Sequence, residues 1–284
     1  MLKIKKLKKY YKKIKGVENI NLDIKKSEIF GFVGPNGSGK STTIKCIMNL
    51  INKNSGEIFV DDILDTKNEV SLKESIGYLP SEIHLYDDLT VKGMINYSLS
   101  FYKINHKENA NRLVKRLKLD LNKKVEDLSL GNQKKLGIIL ALMHEPKLLI
   151  LDEPTSGLDP LMQEEFYEIL LEEKEKGTTI FFSSHILSEI RKICDRVAII
   201  KEGKIVEVKD VDEITNTNFY NVTIKSKDIN KIKKELNIKN KDEILKFIYK
   251  ENINDLLKLC SKYDVEKLLI EEPTIEEIFM HFYK

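Results

Sequence analysis

The sequence predicts an α/β protein built on a parallel sheet, and three observations lead to that prediction. Strand-like and helix-like segments alternate from about residue 28 to 208, a rhythm typical of parallel sheets flanked by helices. A glycine-rich break separates a short apolar strand at 28–33 from a helical pattern at 40–51. A second apolar strand, at 148–151, is followed directly by two carboxylates.

The composition describes a folded chain with little net charge. Lys and Arg total 48 against 45 Asp and Glu, which gives +3, and 41% of the 284 residues are hydrophobic. That apolar content is enough for a core, and the small net charge gives no reason to expect a nucleic-acid partner. Cys46, Cys194 and Cys260 form no C-x-x-C pair, so neither a disulfide framework nor a zinc site is implied, and a reducing cytosol fits.

The apolar runs are short. They fall well below the roughly 18 residues that indicate a spanning helix, and the first residues lack the apolar region of a signal peptide. We therefore expect a cytoplasmic protein, and any role that it has at a membrane must come through a partner.

The remaining elements predict a core with three additions. Alternating Leu, Ile and Lys at the N-terminus predicts strands, and hence an antiparallel β-subdomain, while residues at about 86–140 predict a helical insert. A polar stretch near 210–218 lacks periodicity and predicts a domain boundary. The first domain is then 1–210, and 219–284 is a small α+β appendage with a β-α-β-α-β-α pattern.

Between the second apolar strand and that boundary, the α/β rhythm continues. We predict a helix from Pro160 to about Lys176 with Gly177 as its stop, a strand at 178–183 and a helix near Leu187–Ile193. Glu202-Gly203 then joins two strands in a hairpin.

The strongest local motif is Gly34-Pro35-Asn36-Gly37-Ser38-Gly39-Lys40-Ser41, which matches G-x-x-x-x-G-K-[ST] between a predicted strand and a predicted helix. The backbone N–H groups of such a loop surround phosphate oxygens, and the helix N-terminus adds partial positive charge. Lys40 would reach the β- and γ-phosphates, and the Ser41 hydroxyl would bind Mg²⁺. With Thr42, these residues are the expected phosphate-binding site for ATP.

Asp152 and Glu153 form the second motif. They end a buried-type strand, and the carboxyl ends of such strands are where open α/β sheets bind ligands. Asp152 would hold Mg²⁺ directly or through water, and Glu153 would orient and polarise the water that attacks the γ-phosphate. The two motifs together predict a phosphate-loop NTPase.

A third motif, Leu128-Ser129-Leu130-Gly131-Asn132-Gln133, resembles the Leu-Ser-Gly-Gly-Gln signature of ATP-binding-cassette (ABC) proteins. On these three motifs the chain resembles the cytoplasmic ATP-binding subunits of ABC transporters, above all those of drug, lantibiotic and bacteriocin export or immunity systems. The resemblance covers residues 2–208 and extends to 272–279 in the tail.

The resemblance implies further site residues. Ser156-Gly157-Leu158-Asp159 matches the D-loop, which crosses between two cassettes, and His185 matches the switch histidine that contacts the γ-phosphate. Tyr11 aligns with the aromatic residue that stacks on adenine, although the adjacent Tyr10 is an alternative. With Lys40 and Glu153, His185 completes the implied catalytic set.

Two departures from the family pattern stand out. Where a glutamine normally contacts Mg²⁺ and the attacking water, this chain has Ser81, whose hydroxyl is too short to span that distance. Either a water bridges from Ser81 to the metal, or Glu82 substitutes, or the coupling at this loop is altered. In the signature, Leu130 and Asn132 replace a glycine and the glutamine.

The resemblance also implies an assembly. Two cassettes, identical or paralogous, would bind two ATP molecules between them, with Ser129 and Gly131 of one cassette contacting the γ-phosphate held by the other. Closure and reopening would drive an integral membrane permease through the segment from Ser81 to Tyr97, powering export. Two alternatives remain: a soluble ABC ATPase that does not transport, and a regulatory nucleotide-binding module with low turnover.

Overall fold

A computed structural model describes residues 1–12, 14–61, 63–64, 70–215, 220–238, 242 and 244–271. The chain divides into two compact units, Met1–Val211 and Asp212–Lys284. Within the described ranges, we find no helix with the length and apolar character required to cross a bilayer.

The elements are bounded as follows. The strands are β1 (Leu2–Tyr11), β2 (Ile14–Ile24), β3 (Ile29–Val33), β4 (Ser55–Val60), β5 (Ile63–Leu64), β6 (Ile76–Leu79), β7 (Leu148–Asp152), β8 (Thr179–Ser184), β9 (Arg196–Lys201), β10 (Lys204–Asp210), β11 (Tyr220–Ser226), β12 (Ile244–Tyr249) and β13 (Val265–Glu271). The helices are α1 (Lys40–Ile47), α2 (Val70–Glu74), α3 (Val91–Leu99), α4 (Lys107–Arg116), α5 (Leu130–Leu142), α6 (Pro160–Glu175), α7 (Leu187–Ile193), α8 (Val211–Thr215), α9 (Ile229–Glu235) and α10 (Ile253–Cys260).

The central sheet has the order β10-β9-β3-β8-β7-β6. Its neighbours from β9 to β6 are parallel, and β10 pairs antiparallel with β9 at one edge. Every residue of β3, β7 and β8 is buried, which explains why apolar and polar residues do not alternate along these strands. Because β3, β8, β7 and β6 are adjacent and parallel, the segments that follow them lie at one edge of the sheet. The predicted parallel α/β core is confirmed.

The N-terminal strands form a second, antiparallel sheet with the order β2-β1-β4-β5. Leu2, Ile4 and Leu7 alternate with lysines along β1 and are fully or almost fully buried. They share one apolar core with Phe30 and Phe181 of the central sheet. The packing between the two sheets therefore places the end of β1 beside the segment that follows β3.

The helices differ from the sequence prediction mainly at their ends. Helix α1 stops at Ile47, not at residue 51, because Asn49 has a left-handed φ of 54° and cannot continue the helix. Helix α6 begins at Pro160 with the Asp159 side chain accepting the Met162 N–H at 3.1 Å. The hairpin between β9 and β10 turns at Glu202-Gly203, as predicted.

The helical insert is present and is joined to the core by ion pairs. Arg112 of α4 contacts Glu173 of α6 at 2.8 Å, and Arg116 contacts Glu172 at 2.6 Å. Helix α5 closes the insert, packs against β6 and leads into β7.

The second unit is a small α+β structure. Its antiparallel sheet has the order β12-β11-β13, and α9 packs on this sheet. Its own apolar core includes Val222, Ile224, Ile232, Leu245 and Leu256. The last helix of the predicted β-α-β-α-β-α pattern lies outside the described residues.

Candidate nucleotide-binding site

The loop between β3 and α1 closes around a small cavity. Gly39 has a φ of 109°, a left-handed conformation that a residue with a Cβ rarely adopts, and it turns the loop into α1. The cavity has a volume of about 250 Å³. Its lining residues come from the end of β1, the start of β2, the loop with the start of α1, and the segment after β7: Tyr11, Lys15, Gly16, Asn36, Gly37, Gly39, Lys40, Ser41, Thr42 and Glu153.

Lys40 lies beneath this cavity and is only 4% exposed. Its Nζ donates to the Gly34 carbonyl at 2.7 Å and to the Pro35 carbonyl at 3.3 Å. The same ammonium lies 3.3 Å from Glu153 Oε1. Ser38 is buried next to it, and the Ser38 hydroxyl has no hydrogen-bond partner among the described residues. The loop thus concentrates one buried cation and hydrogen-bond donors at a single point.

Asp152 ends β7 and is 1% exposed. Its Oδ1 accepts a hydrogen bond from the Ser183 hydroxyl at 2.7 Å. Its Oδ2 is buried and lacks a hydrogen-bond partner among the described residues. A buried carboxylate oxygen is stable only when a donor or a cation binds it, so Oδ2 is suited to a hard cation or its bound water.

Glu153 brings the predicted catalytic residues together. Its backbone is left-handed, with a φ of 49°, and its N–H donates to the Ser183 carbonyl at 3.2 Å. This turn directs the side chain towards the loop, where Oε1 lies 3.3 Å from Lys40 Nζ and 3.3 Å from His185 Nδ1. One carboxylate oxygen therefore joins the residues that follow β3, β7 and β8.

The backbone around His185 is fixed by a buried carboxylate that the sequence analysis did not identify. Glu189 Oε1 accepts from the Thr155 hydroxyl at 2.6 Å, and Oε2 accepts from the Ser184 hydroxyl at 2.6 Å. Glu189 is buried on α7; burial raises the pKa of Tyr167, and the charge of Glu189 raises it further. This carboxylate connects the segment before the predicted D-loop to the segment that carries His185.

Replacing Glu189 by Gln should lower the free energy of unfolding by about 1–3 kcal/mol. A glutamine is uncharged and offers one acceptor oxygen, so the hydroxyl of either Thr155 or Ser184 would lose the acceptor to which it donates. Urea denaturation measures the difference. Glu175→Gln, at the exposed end of α6, is the matched control, and equal stability of the two variants would contradict the role given to Glu189.

The structure separates the two candidate tyrosines. Tyr11 lines the cavity, with Lys9 Nζ 5.1 Å from the centre of its ring. Tyr10 points elsewhere, because its hydroxyl donates to Glu18 at 3.1 Å, a hydrogen bond that raises the pKa of Tyr10. Of the two, Tyr11 is the residue that faces the cavity.

Ser81 follows β6 and has an exposed side chain. The contact it makes towards the site is through its backbone: its carbonyl accepts from Lys134 Nζ at 3.0 Å. The same Nζ lies 3.4 Å from the Glu153 carbonyl. Glu82 is exposed as well. The sequence analysis did not identify Lys134, although a lysine facing the apolar side of α5 is a detectable signal.

Ser129 and Gly131 lie at the start of α5, outside the lining of the cavity. The Ser129 hydroxyl accepts the Asn132 N–H at 3.4 Å and caps the helix. Gly131 lies against Gly157, since a Cβ on Gly131 would be 2.8 Å from the Gly157 carbonyl oxygen. Leu130 covers Gly157 and is 68% exposed. The signature motif and the predicted D-loop therefore form one surface.

Three features define a phosphate-loop NTPase. A phosphate loop follows one central strand, a carboxylate pair lies at the end of another, and a histidine contacts the second carboxylate. Comparison with known proteins refines the class. A family model described as ABC transporter matches residues 17–156. The chain is 37% identical over 213 residues to the linearmycin resistance ATP-binding protein LnrL of Bacillus subtilis, covering 73% of this chain and 68% of that protein.

Two further similarities agree with that match. The bacitracin transport ATP-binding protein BcrA of Bacillus licheniformis is 39% identical over 222 residues, with 77% of this chain and 72% of that protein covered. Among solved structures, the post-hydrolysis dimer of the ATP-binding cassette MJ0796 bound to ADP and Pi superposes with a TM-score of 0.67 at 28% identity. That alignment covers 74% of this chain and 99% of the other. The chain belongs to the ABC transporter family and is one of its ATP-binding, ATP-hydrolysing subunits.

Proposed function

We propose that this subunit powers export of an antimicrobial peptide or drug through a separate membrane permease, at the inner face of the cell membrane. The relatives named for linearmycin resistance and bacitracin transport support that class of cargo. One observation carries the transport proposal, an exposed aromatic surface on the helical insert. Binding and hydrolysis of ATP at the nucleotide site supply the energy for transport.

At the nucleotide site, each residue has a distinct role. Lys40 and the loop N–H groups bind the phosphates, and Tyr11 stacks on the base. The Asp152 carboxylate and the Ser41 hydroxyl offer the oxygen ligands that Mg²⁺ prefers. Asp152 Oδ2, which has no hydrogen-bond partner in the part of the chain that the structure describes, supports this assignment. When bound, Mg²⁺ neutralises the charge that develops on the phosphates.

Glu153 accepts a proton from the attacking water or orients that water, while His185 holds the carboxylate in place. The Nδ1 of His185 lies 3.3 Å from Glu153 Oε1, a distance at which the ring fixes the carboxylate orientation. A carboxylate oriented in this way can act on a water at the γ-phosphate.

The signature surface supports a head-to-tail pair of cassettes. Gly131 lies against Gly157 of the D-loop, Ser129 is exposed, and neither residue lines the cavity of its own chain. Leu130 and Leu161 are 68% and 78% exposed beside this surface, which is typical of an interface. In the pair, the signature of one protomer would contact the nucleotide held by its partner.

The aromatic surface comprises Tyr86, Tyr97 and Phe101, which we call the aromatic patch. Consecutive rings meet edge to face, with centroids 5.4 Å and 5.1 Å apart. The three side chains are 57%, 42% and 63% exposed, an unusual arrangement for aromatic residues on a free surface. The aromatic patch follows Ser81 along the chain and is suited to an apolar cytoplasmic segment of the permease.

Phe101→Ala should weaken binding of the permease by about 30-fold, because an aromatic anchor at an interface contributes about 2 kcal/mol. The measurement is affinity purification of the full chain from detergent-solubilised membranes, with quantitative mass spectrometry of multi-spanning proteins. Leu50→Ala removes an equally exposed apolar side chain outside the patch and is the matched control. Both variants should hydrolyse ATP as the unmodified chain does.

Several outcomes would contradict the transport proposal. Recovery of ribosomes or DNA in place of a multi-spanning protein would favour a soluble ABC ATPase. Equal recovery with Phe101→Ala and Leu50→Ala would remove the aromatic patch from the permease interface.

A further inference from the structure

Lys134 is a buried cation at the junction of three segments. It lies in the second turn of α5, is 3% exposed, and donates to the carbonyl groups of Ser81 and Glu153 at 3.0 Å and 3.4 Å. Lysine is almost never fully buried unless its charge is compensated. The two carbonyl groups are therefore the interactions that compensate the buried charge of Lys134.

Glu153 has a backbone conformation that needs external support. A left-handed φ of 49° is unfavourable for a residue with a Cβ, and such a conformation persists only where the surroundings fix it. Ser183 binds the Glu153 N–H at 3.2 Å through both its carbonyl and its hydroxyl. Lys134 binds the Glu153 carbonyl, so the peptide groups on both sides of this residue are fixed.

Helix α5 lies unusually close to the segment that Lys134 contacts. Gly137, three residues further along α5, packs on Leu79 and Ile83; a Cβ there would be 2.8 Å from Leu79 Cδ1 and 2.6 Å from Ile83 Cδ1. This close approach brings the Lys134 ammonium within hydrogen-bond distance of the Ser81 carbonyl.

We propose that Lys134 is a positioning residue for ATP hydrolysis, whose ammonium holds the Ser81 and Glu153 carbonyls together and so sets the direction of the Glu153 side chain. The inference rests on the role proposed for Glu153. Ser81, which has only a short hydroxyl, then influences the site through its backbone. A movement of the segment between Ser81 and the aromatic patch is transmitted by Lys134 to Glu153.

Two opposing effects act on the Lys134 ammonium, and their net result is a lowered pKa. Burial lowers the pKa of its ammonium, whereas the nearby Asp152 and Glu153 carboxylates act in the opposite direction. A charged donor binds carbonyl groups more strongly than a neutral one. A neutral donor at this position should therefore retain part of the effect.

Lys134→Met is the first test, since methionine keeps the unbranched stem and removes the donor. Loss of charge-assisted hydrogen bonds at a positioning residue should lower kcat by about 10- to 100-fold, with ATP affinity changed by less than about 2-fold. Lys134→Gln retains a neutral donor, so its kcat should lie between those of Lys134→Met and the unmodified chain. Lys135→Met makes the same change of charge at the next residue of α5 and should retain kcat.

A double-mutant cycle with Glu153→Gln tests the route of the effect. If Lys134 acts through Glu153, Lys134→Met should lower the single-turnover rate of the Glu153→Gln variant by less than about 3-fold. Multiplicative losses in the double variant would overturn the proposal, as would an unchanged kcat in Lys134→Met or an equal loss in Lys135→Met. Should Lys134→Met fail to fold, the cycle with Lys134→Gln decides by the same criteria. Full turnover of Glu153→Gln alone would instead contradict the function proposed for Glu153.

Discussion

Replacing Glu153 by Gln should reduce kcat for ATP hydrolysis by about 10²-fold or more, the contribution expected of a general base or water-orienting carboxylate. The amide oxygen can still accept hydrogen bonds from Lys40 and His185, which contact Oε1 in the native protein. The fold and the cavity should therefore persist. What the substitution removes is the negative charge that polarises the attacking water.

Because binding should survive, the Glu153→Gln variant should accumulate in an ATP-bound, dimeric state. Phosphate release measures the turnover, and size-exclusion chromatography with light scattering measures ATP-induced dimers. Glu175→Gln is the control, since it makes the same chemical change at an exposed position. If Glu153→Gln turned over ATP as fast as Glu175→Gln, Glu153 would not be the residue that activates the attacking water. If Glu153→Gln hydrolysed ATP slowly but formed no dimers with ATP, the head-to-tail pair would be contradicted.

Lys40→Met should weaken ATP binding by about 100-fold, because a buried cation that binds phosphate contributes several kcal/mol. Lys40 is 4% exposed, so its charge acts in a poorly solvated environment. Methionine fills nearly the same volume, which limits damage to the packing below the loop. The loss should appear in the dissociation constant as well as in turnover.

Titration with a fluorescent ATP analogue measures that dissociation constant. Lys45→Met changes the charge by the same amount on the exposed face of α1 and serves as the control. Equal affinities of the two variants would show that Lys40 does not bind the phosphates. The two predictions are separable, since Lys40→Met should impair binding and Glu153→Gln should impair the chemical step.

Much of the nucleotide site could be predicted because its residues are close in the sequence. The loop from Gly34 to Ser41 depends on local backbone geometry, with glycine where φ is positive and a lysine at a fixed distance from the first turn of α1. Asp152 and Glu153 follow an apolar run that only a buried strand explains. Helix ends were less predictable. Helix α1 ends at Ile47 because Asn49 has a left-handed backbone, and several residue types can adopt that conformation.

The contacts between distant segments could not be predicted in this way. The hydrogen bonds that Glu189 accepts from Thr155 and Ser184 join the segment after β7 to the end of β8, and their signal in the sequence is a single acidic residue on a short helix. Tyr10 and Tyr11 are neighbours with equivalent chemistry, and only the hydrogen bond from Tyr10 to Glu18 distinguishes them.

The sequence alone determined the class of the core, the phosphate loop, the carboxylate pair and the family resemblance, because each element and motif behind them consists of residues that are close together along the chain. Only the tertiary structure decided the strand order, which places the ends of β3, β8, β7 and β6 side by side. That order brings Lys40 and His185 to the same oxygen of Glu153, and it brings Lys134 to the carbonyl of that residue. Hydrogen bonds of this kind depend on distances in space, which residue spacing along the chain does not encode.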